Sequence, residues 1–165
     1  MKQVHEPWGL ADPANPTTEI LPGLYMGGTL REQCIDYPQL LQRFEDAPVK
    51  YDAVVTLYAW AAPMGFGVEE RRLGFPDAEL RTEYITQIHE LSAWAYREWQ
   101  AGKRVLIRCA GGMNRSGLIT ALILMRSGFS AAGAIHTIQE RRSEQALSND
   151  IFVQYLFQIE SAQHD

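Results

Sequence analysis

The chain has 165 residues, of which 46% are hydrophobic and 21% are charged, and its formal net charge is −5. This length suits one domain with a sizeable core, and the composition is typical of a folded globular protein. The acidic balance argues against a broad surface for nucleic acid or for an anionic membrane, so we expect neither as a partner. Any site for an anion must therefore be small and local.

Cysteine and histidine are too few and too scattered to form a disulfide framework or a structural metal site. The two cysteines are Cys34 and Cys109, and the four histidines lack the spacing of metal ligands. No apolar run is long enough to cross a bilayer, and the first seven residues lack the apolar core of a signal peptide. We therefore expect a cytoplasmic protein that needs no metal and no cofactor.

The first third of the chain predicts an arm, a pair of strands, a helix and a buried strand. Residues 1–18 contain three prolines and little periodicity, which indicates an extended N-terminal arm. Residues 19–27 form two short strand-like pieces around the Pro22-Gly23 turn. A short helix is predicted over residues 37–46, followed by a buried strand over 52–57.

The middle of the chain predicts a strand-helix-strand unit. Residues 58–68 are a loop rich in aromatic residues, Gly and Pro, which either walls the ligand crevice or caps the core. A strand is predicted at 71–75, and an amphipathic helix then begins with Thr82 as its cap and ends at Gly102. Residues 103–109 return as a strand.

The last third is helical. The helix after Arg115 is apolar on nearly all faces, which is typical of a central buried element. Ser130 is expected to cap the next helix, residues 141–149 are a polar connection, and a final helix follows. Together these elements predict a single α/β domain with a central, mostly parallel sheet flanked by helices and a phosphate-binding loop between a central strand and a buried helix.

Residues 105–117 carry the clearest functional pattern. Apolar strand residues lead into Cys109, a glycine-containing loop follows, and Arg115 opens a helix. Backbone N–H groups of such a loop and of the helix's first turn converge on one point and bind an anion such as phosphate. The planar guanidinium of Arg115 can bind two phosphate oxygens, while the helix end and Arg115 favour the nucleophilic thiolate of Cys109.

The pattern Cys109, five residues, Arg115 and Ser116 resembles the signature of the cysteine-dependent protein-tyrosine phosphatase superfamily, and its size and neighbouring motifs are most similar to the dual-specificity phosphatases. The resemblance implies that residues 19–165 form the catalytic domain. It also implies that Arg115 and the loop between it and the cysteine hold the phosphate; the loop residues are Ala110, Gly111, Gly112, Met113 and Asn114.

Three further roles follow from the resemblance. Asp77 lies upstream of the cysteine after a predicted strand, as the general acid does in the family, and Glu79 is a rival two residues later. Ser116 can donate its hydroxyl to the sulfur of Cys109. Asn149 is similar to the asparagine that helps to hold the phosphate loop, although a helix cap would equally account for it.

Two features depart from the family pattern. Arg108 stands where the family usually has histidine, and a strand residue at that position is expected to point away from the pocket. The loop between Cys109 and Arg115 contains no lysine, arginine or histidine. Since extra phosphates are often held by such basic residues, their absence weighs against a polyphosphorylated head group.

The resemblance implies a phosphatase whose partner is a phosphorylated protein or peptide, with phosphotyrosine as the main substrate and phosphoserine or phosphothreonine as a further class. An RNA 5′-triphosphatase or another small phosphoester phosphatase shares this loop pattern and is the alternative within the same chemistry. Sulfur transfer fits the spacing less well. A module that binds phosphate without catalysis is the remaining alternative.

Overall fold

The computed structural model describes residues 9–37 and 50–163 and has a five-stranded sheet at its centre. The strands are β1 (Thr17–Leu21), β2 (Leu24–Gly27), β3 (Ala53–Thr56), β4 (Glu69–Arg72) and β5 (Val105–Arg108). The helices are α1 (Thr82–Gln100), α2 (Arg115–Arg126), α3 (Ala131–Arg141) and α4 (Asp150–Gln163), and a short 3₁₀ helix covers Arg31–Gln33. This architecture confirms the predicted single α/β domain.

The strand order is β1-β2-β5-β3-β4, and every neighbouring pair is parallel except β1 with β2. β1 and β2 form a hairpin whose turn contains Gly23 at φ +84°, a conformation that favours glycine. The carboxyl ends of β2, β5, β3 and β4 therefore share one edge of the sheet. Ligands in open α/β sheets bind outside that edge.

β5 is the central strand, and its four residues are all buried. Side chains alternate between the two faces of a strand, so Val105 and Ile107 enter the main apolar core and Arg108 projects from the opposite face. The next residue, Cys109, again belongs to the core side and is 2% exposed. The strand thus delivers the cysteine to the edge of the sheet with its sulfur facing inward.

α2 is the helix around which the others pack. Residues 116–124 of this helix are all buried, in agreement with its apolar sequence, and it contacts α1, α3, α4 and the sheet. α1 buries one stripe, which includes Ile88, Leu91 and Ala95. Ser130 caps α3 as predicted, because its side chain accepts a hydrogen bond from the N–H of Gly133.

Three predicted boundaries were wrong by a few residues. β1 begins at Thr17, where the pairing with Gly27 starts, and not at Glu19. β4 covers residues 69–72 and not 71–75, because its parallel partner β3 ends at Thr56. The residue before α1 is Arg81, in an extended conformation and without a side-chain cap, so Thr82 is the first helical residue.

Two of the sequence predictions fall on residues that the structure does not describe. The predicted helix at 37–46 lies outside the described residues except for Tyr37, and so do residues 1–8 of the predicted arm.

The connection at 141–149 is less polar than expected, because Ala146 and Leu147 are buried in it. None of the helices described is both long and apolar enough to span a membrane.

We predict that Ile107→Ala destabilises the fold strongly, because Ile107 is fully buried in the central strand. Truncation there removes apolar contacts and leaves a cavity, so the free energy of unfolding should fall by about 2–5 kcal/mol in urea denaturation. Phe157→Ala is the control, since that side chain is 44% exposed. Equal losses in the two variants would contradict the assignment of Ile107 to the core.

Candidate active site

Cys109 lies at the carboxyl end of β5, below the loop that leads into α2. Its Sγ is 3.3 Å from the backbone N of Gly112 and 3.3 Å from the hydroxyl oxygen of Ser116. Both of these groups can donate a hydrogen bond to a thiolate. The sulfur therefore has two donors that stabilise its negative form.

The loop of residues 110–114, named the phosphate loop here, packs directly against the chain that follows β2. Gly112 adopts φ +76°, and a Cβ at this position would lie 2.5 Å from the carbonyl carbon of Gly27. A Cβ on Gly28 would lie 2.6 Å from the carbonyl oxygen of Ala110. The two glycines permit this close approach, and no larger residue would fit without a backbone shift.

Thr29 continues this contact with two hydrogen bonds. Its hydroxyl donates to the carbonyl oxygen of Cys109 at 2.9 Å, and its backbone N–H donates to the carbonyl oxygen of Ala110 at 2.8 Å. Thr29 is fully buried. The start of the loop is thereby fixed to the chain after β2, which leaves the opposite side of the loop open to the pocket.

Arg142 braces the loop from the other end. This side chain is 4% exposed, and its Nε donates to the carbonyl oxygen of Gly112 at 3.0 Å. Its Nη1 donates to the carbonyl oxygen of Asn15 at 2.8 Å and to the hydroxyl of Thr18 at 2.9 Å. Burial lowers the pKa of Arg142, and negative charge at Cys109 opposes that effect.

Sequence reasoning missed Arg142, which it placed in a polar connection. A signal for its burial was present, because Ala131, Ala134 and Ile138 form the buried face of α3 and Arg142 continues their spacing. A charged residue on the buried face of a helix needs partners inside the protein. Arg142 finds them in the phosphate loop and in the N-terminal segment.

Arg115 extends from the start of α2 into the pocket. Its Nη1 donates to the carbonyl oxygen of Phe75 at 3.0 Å and lies 3.5 Å from that of Leu57. Its guanidinium carbon is 5.8 Å from the centre of the Tyr58 ring. Its Nε is buried and has no hydrogen-bond acceptor among the residues that the structure describes. A buried donor of this kind is costly unless an acceptor reaches it.

Asp77 lines the pocket and lies between two asparagine side chains. Its Oδ1 accepts a hydrogen bond from Nδ2 of Asn149 at 2.8 Å, and its Oδ2 accepts one from Nδ2 of Asn114 at 2.9 Å. The rival candidate Glu79 is exposed, lies 3.9 Å from Arg81 and is absent from the pocket lining.

A pocket of about 580 Å³ joins these groups. The predicted site residues in its lining are Cys109, Ala110, Gly111, Met113, Asn114, Arg115 and Asp77. Gly112 and Ser116 contact the sulfur from within, and Asn149 contacts Asp77 from the side. The remaining lining comes from the N-terminal segment, the loop after β3 and the connection before α4; it consists of Gly9, Leu10, Tyr58, Trp60, Gln145 and Ser148.

Arg108 lies on the face of β5 opposite the pocket and is 3% exposed. Its Nε donates to the hydroxyl of Thr56 at 2.9 Å, and its Nη2 donates to the carbonyl of Ala62 at 2.7 Å and to Glu70 at 3.0 Å. Arg108 therefore joins the cysteine-bearing strand to the loop after β3 that carries Tyr58.

Glu70 is the negatively charged partner of Arg108 in this buried cluster. Besides Arg108, its carboxylate accepts hydrogen bonds from Thr56, from Arg72 at 3.1 Å and from the backbone N of Met64 at 3.3 Å. Burial alone would raise the pKa of Glu70, but the hydrogen bonds from Thr56 and Arg108 outweigh burial and lower it. Among the described residues, no cluster of three His, Cys, Asp or Glu side chains could hold a metal ion.

We predict that Arg142→Lys weakens the protein although it keeps the positive charge. A lysine cannot donate to the carbonyls of Gly112 and Asn15 in the same geometry, so buried acceptors lose their partners. The free energy of unfolding in urea should fall by roughly 1–3 kcal/mol. Arg141→Lys, at the exposed neighbouring position, is the matched control and should change little. Equal behaviour of the two variants would rule out this bracing role.

Glu70→Gln should make stability less dependent on pH in the acid range. Because the folded protein has the lower pKa, ionised Glu70 stabilises the fold above the ordinary glutamate value of 4.5, and this contribution is lost as the pH falls below it. Urea unfolding from neutral pH to below 4.5 should show a steeper loss for the wild type than for the variant. The exposed Glu69→Gln is the control. Parallel curves for wild type and Glu70→Gln would contradict the prediction.

Comparison with known proteins identifies the family. The model for the catalytic domain of dual specificity phosphatases matches residues 73–162. No curated protein sequence matches the chain. Among solved structures, human DUSP28 is similar with a TM-score of 0.75 and 22% identity, over 94% of this chain and 99% of that one.

Two further solved structures share the fold. The active form of Tk-PTP has a TM-score of 0.70 and 24% identity, and covers 89% of this chain and 97% of its own. The human tyrosine phosphatase-like serine/threonine/tyrosine-interacting protein has a TM-score of 0.68 and 20% identity, over 91% of this chain and 99% of its own. With a family match over more than half of its length, the chain belongs to the dual specificity phosphatase family.

Proposed function

We propose that this protein is a phosphoprotein phosphatase that hydrolyses phosphotyrosine, and also phosphoserine and phosphothreonine, through a phosphocysteine intermediate. The arrangement around Cys109 supports this proposal: Gly112 and Ser116 each place a donor 3.3 Å from its sulfur, at the floor of a pocket that Asp77 also lines. A stabilised nucleophile and a carboxyl group thus face one cavity.

Phosphate binding is assigned to Arg115 and the loop backbone. Nη1 of Arg115 is held by the carbonyl of Phe75, and the buried Nε of Arg115 lacks an acceptor among the described residues. A phosphate oxygen would satisfy this donor. The guanidinium and the loop N–H groups would then stabilise negative charge on the oxygens of the phosphoryl group as it is transferred.

In the first chemical step, the thiolate of Cys109 attacks phosphorus and forms an S–P bond. The P–O bond to the leaving group breaks, and protonated Asp77 transfers its proton to the departing oxygen. The products of this step are the free alcohol or phenol, the phosphocysteine and the carboxylate of Asp77.

In the second step, water attacks the phosphocysteine. The carboxylate of Asp77 takes a proton from that water, the S–P bond breaks, and inorganic phosphate and the Cys109 thiolate are formed. The hydroxyl of Ser116 stabilises the sulfur as it leaves with negative charge, as it did before the attack. The cycle needs only water as a second substrate.

The pocket lining favours an aryl phosphate. Tyr58 and Trp60 provide aromatic surface, and Leu10 and Met113 provide apolar surface around the opening above Cys109. Such surface binds the ring of phosphotyrosine by burying it and by aromatic contact. The loop between Cys109 and Arg115 offers no cationic side chain for additional phosphates, which makes a single phosphate group the better substrate.

The test is the release of phosphate from phenyl phosphate and from phosphotyrosine and phosphoserine peptides, with a chelator present. The wild type should be active, Cys109→Ser should be inactive, and Asp77→Asn should lose about 10²–10⁴-fold in kcat because it cannot supply the proton. Glu79→Gln is the matched control for the acid and should retain activity, since Glu79 lies outside the pocket.

Hydrolysis by Cys109→Ser at the rate of the wild type would exclude the phosphocysteine mechanism. An absence of hydrolysis by reduced wild type with every phosphoester would overturn the phosphatase proposal and favour a phosphate-binding module. A higher kcat/KM for the phosphoserine than for the phosphotyrosine peptide would contradict the inferred preference for an aryl group.

A further inference from the structure

The carboxyl group of Asp77 is held on both sides by amides from two different segments. Asn114 is the last residue of the phosphate loop, and its Nδ2 donates to Oδ2 of Asp77 at 2.9 Å. Asn149 precedes α4, and its Nδ2 donates to Oδ1 at 2.8 Å and also to the carbonyl of Ala78 at 3.1 Å. Each oxygen of the carboxyl group therefore has its own donor.

The orientation of both amides is fixed by their oxygens. Oδ1 of Asn114 accepts a hydrogen bond from the backbone N–H of Asn149 at 2.9 Å. Oδ1 of Asn149 accepts bonds from the backbone N–H groups of Ile151 at 3.0 Å and Phe152 at 3.3 Å, at the start of α4. Rotation of either amide by half a turn would place its NH₂ against these N–H donors and its oxygen against the carboxyl group. Only one orientation satisfies every partner.

The loop that carries Asp77 is anchored at its start by Phe75, which is buried and whose carbonyl oxygen accepts a hydrogen bond from Arg115 at 3.0 Å. It lies between β4 and α1, and the residues around Asp77 belong to no helix or strand. Asp77 itself is exposed and Asn149 is half-buried. The two amides are the hydrogen-bond donors that the structure shows for the carboxyl group of Asp77. The contact with Ala78 attaches the backbone of the same loop.

We propose that Asn114 and Asn149 are positioning residues that hold Asp77 over the phosphate loop for proton transfer. This inference rests on the proposed function, in which Asp77 is the general acid. Each carboxyl oxygen uses one lone pair for its amide donor and keeps the other for the proton that passes to the leaving group or comes from water. The two asparagines thereby fix the direction of that transfer, and Asn149 also joins the acid to the start of α4.

Proton transfer is most important when the leaving group is poor, and this provides the test. Phenyl phosphate requires a proton on its leaving oxygen, whereas 2,4-dinitrophenyl phosphate releases a stable anion without one. A misplaced acid should therefore slow the first substrate selectively. A general loss of folding or of phosphate binding would slow both substrates equally.

The decisive variant is Asn149→Ser, with Asn149→Ala for comparison. Serine can still cap α4, but its side chain is too short to reach Asp77, whereas alanine loses both functions. If positioning matters, both variants should lose about 10–100-fold in kcat/KM on phenyl phosphate, because small displacements of a catalytic group are costly. Their kcat/KM on 2,4-dinitrophenyl phosphate should change little, because kcat/KM covers only the steps up to formation of the phosphocysteine and so excludes the later step in which Asp77 acts as a base. Asn114→Ala should also slow the hydrolysis of phenyl phosphate, because it removes the donor to Oδ2 of Asp77.

A double-variant measurement links the effect to the acid itself. In the Asp77→Asn background, Asn149→Ser should cause little further loss on phenyl phosphate, because the group that it positions is already gone. Full additivity of the two changes, or equal losses of kcat/KM on both substrates, would overturn the inference. Wild-type activity of Asn149→Ser, with a loss only in Asn149→Ala, would assign Asn149 to helix capping alone.

These outcomes are distinct from failure of the proposed function. That failure appears in the wild type, as an absence of phosphoester hydrolysis, or in Asp77→Asn, as unchanged activity on phenyl phosphate. If wild type is active and Asp77→Asn is slow while Asn149→Ser and Asn114→Ala remain fast, the function stands and the positioning role is wrong.

Discussion

The contact between the phosphate loop and the chain after β2 is the constraint on which the site depends. Backbone N–H groups can act together on one anion only when the loop is held in a single conformation. In a flexible loop these groups would point in many directions, and ordering them around the anion would cost conformational entropy. Here the loop is pressed against Gly27 and Gly28 so closely that a single added Cβ would collide with backbone atoms. Thr29 completes the contact by hydrogen bonding to Cys109 and Ala110. Cys109 is therefore positioned by backbone packing at the ends of β5 and β2, which are neighbouring parallel strands.

Two buried arginines support this arrangement from different directions, and neither lines the pocket. Arg142 donates hydrogen bonds to carbonyl groups of the phosphate loop and of the N-terminal segment. Arg108 donates to Thr56, Ala62 and Glu70 on the face of the sheet opposite the main core. Burial lowers the pKa of both. Their value here lies in geometry: one planar group with several donors can join three chain segments whose acceptors would otherwise be unpaired. Arg115 differs from both because its buried Nε has no acceptor among the described residues, and this is the donor that the proposed binding of phosphate would use.

Local sequence was sufficient to predict those parts of the site that are contiguous in the chain. The strand, loop and helix around Cys109, Arg115 and Ser116 carry their own signals, because apolar periodicity, glycine and the position of charge all occur within a few residues. The parts that were missed depend on distant pairing. Nothing near Thr29 reveals that it will lie against Cys109, and the burial of Arg142 could be inferred from helical spacing but its partners could not. The ends of β1 and β4 were misplaced because a strand ends where its neighbour ends, which is a property of the sheet rather than of the strand.

The hydrogen bonds from Arg142 to Asn15 and Thr18 have a practical meaning for anyone preparing this protein. Regular secondary structure alone would place the start of the domain at Thr17, and a chain shortened on that basis would begin there. Such a chain would remove the carbonyl of Asn15 that Arg142 binds, and also Ala11, whose backbone N–H donates to the carbonyl of Thr29. The first contact involves Arg142 and the second involves Thr29, and these two residues hold the phosphate loop. Expression boundaries and affinity tags should therefore be placed before Gly9, since the irregular residues 9–16 that precede the first strand are part of the folded domain.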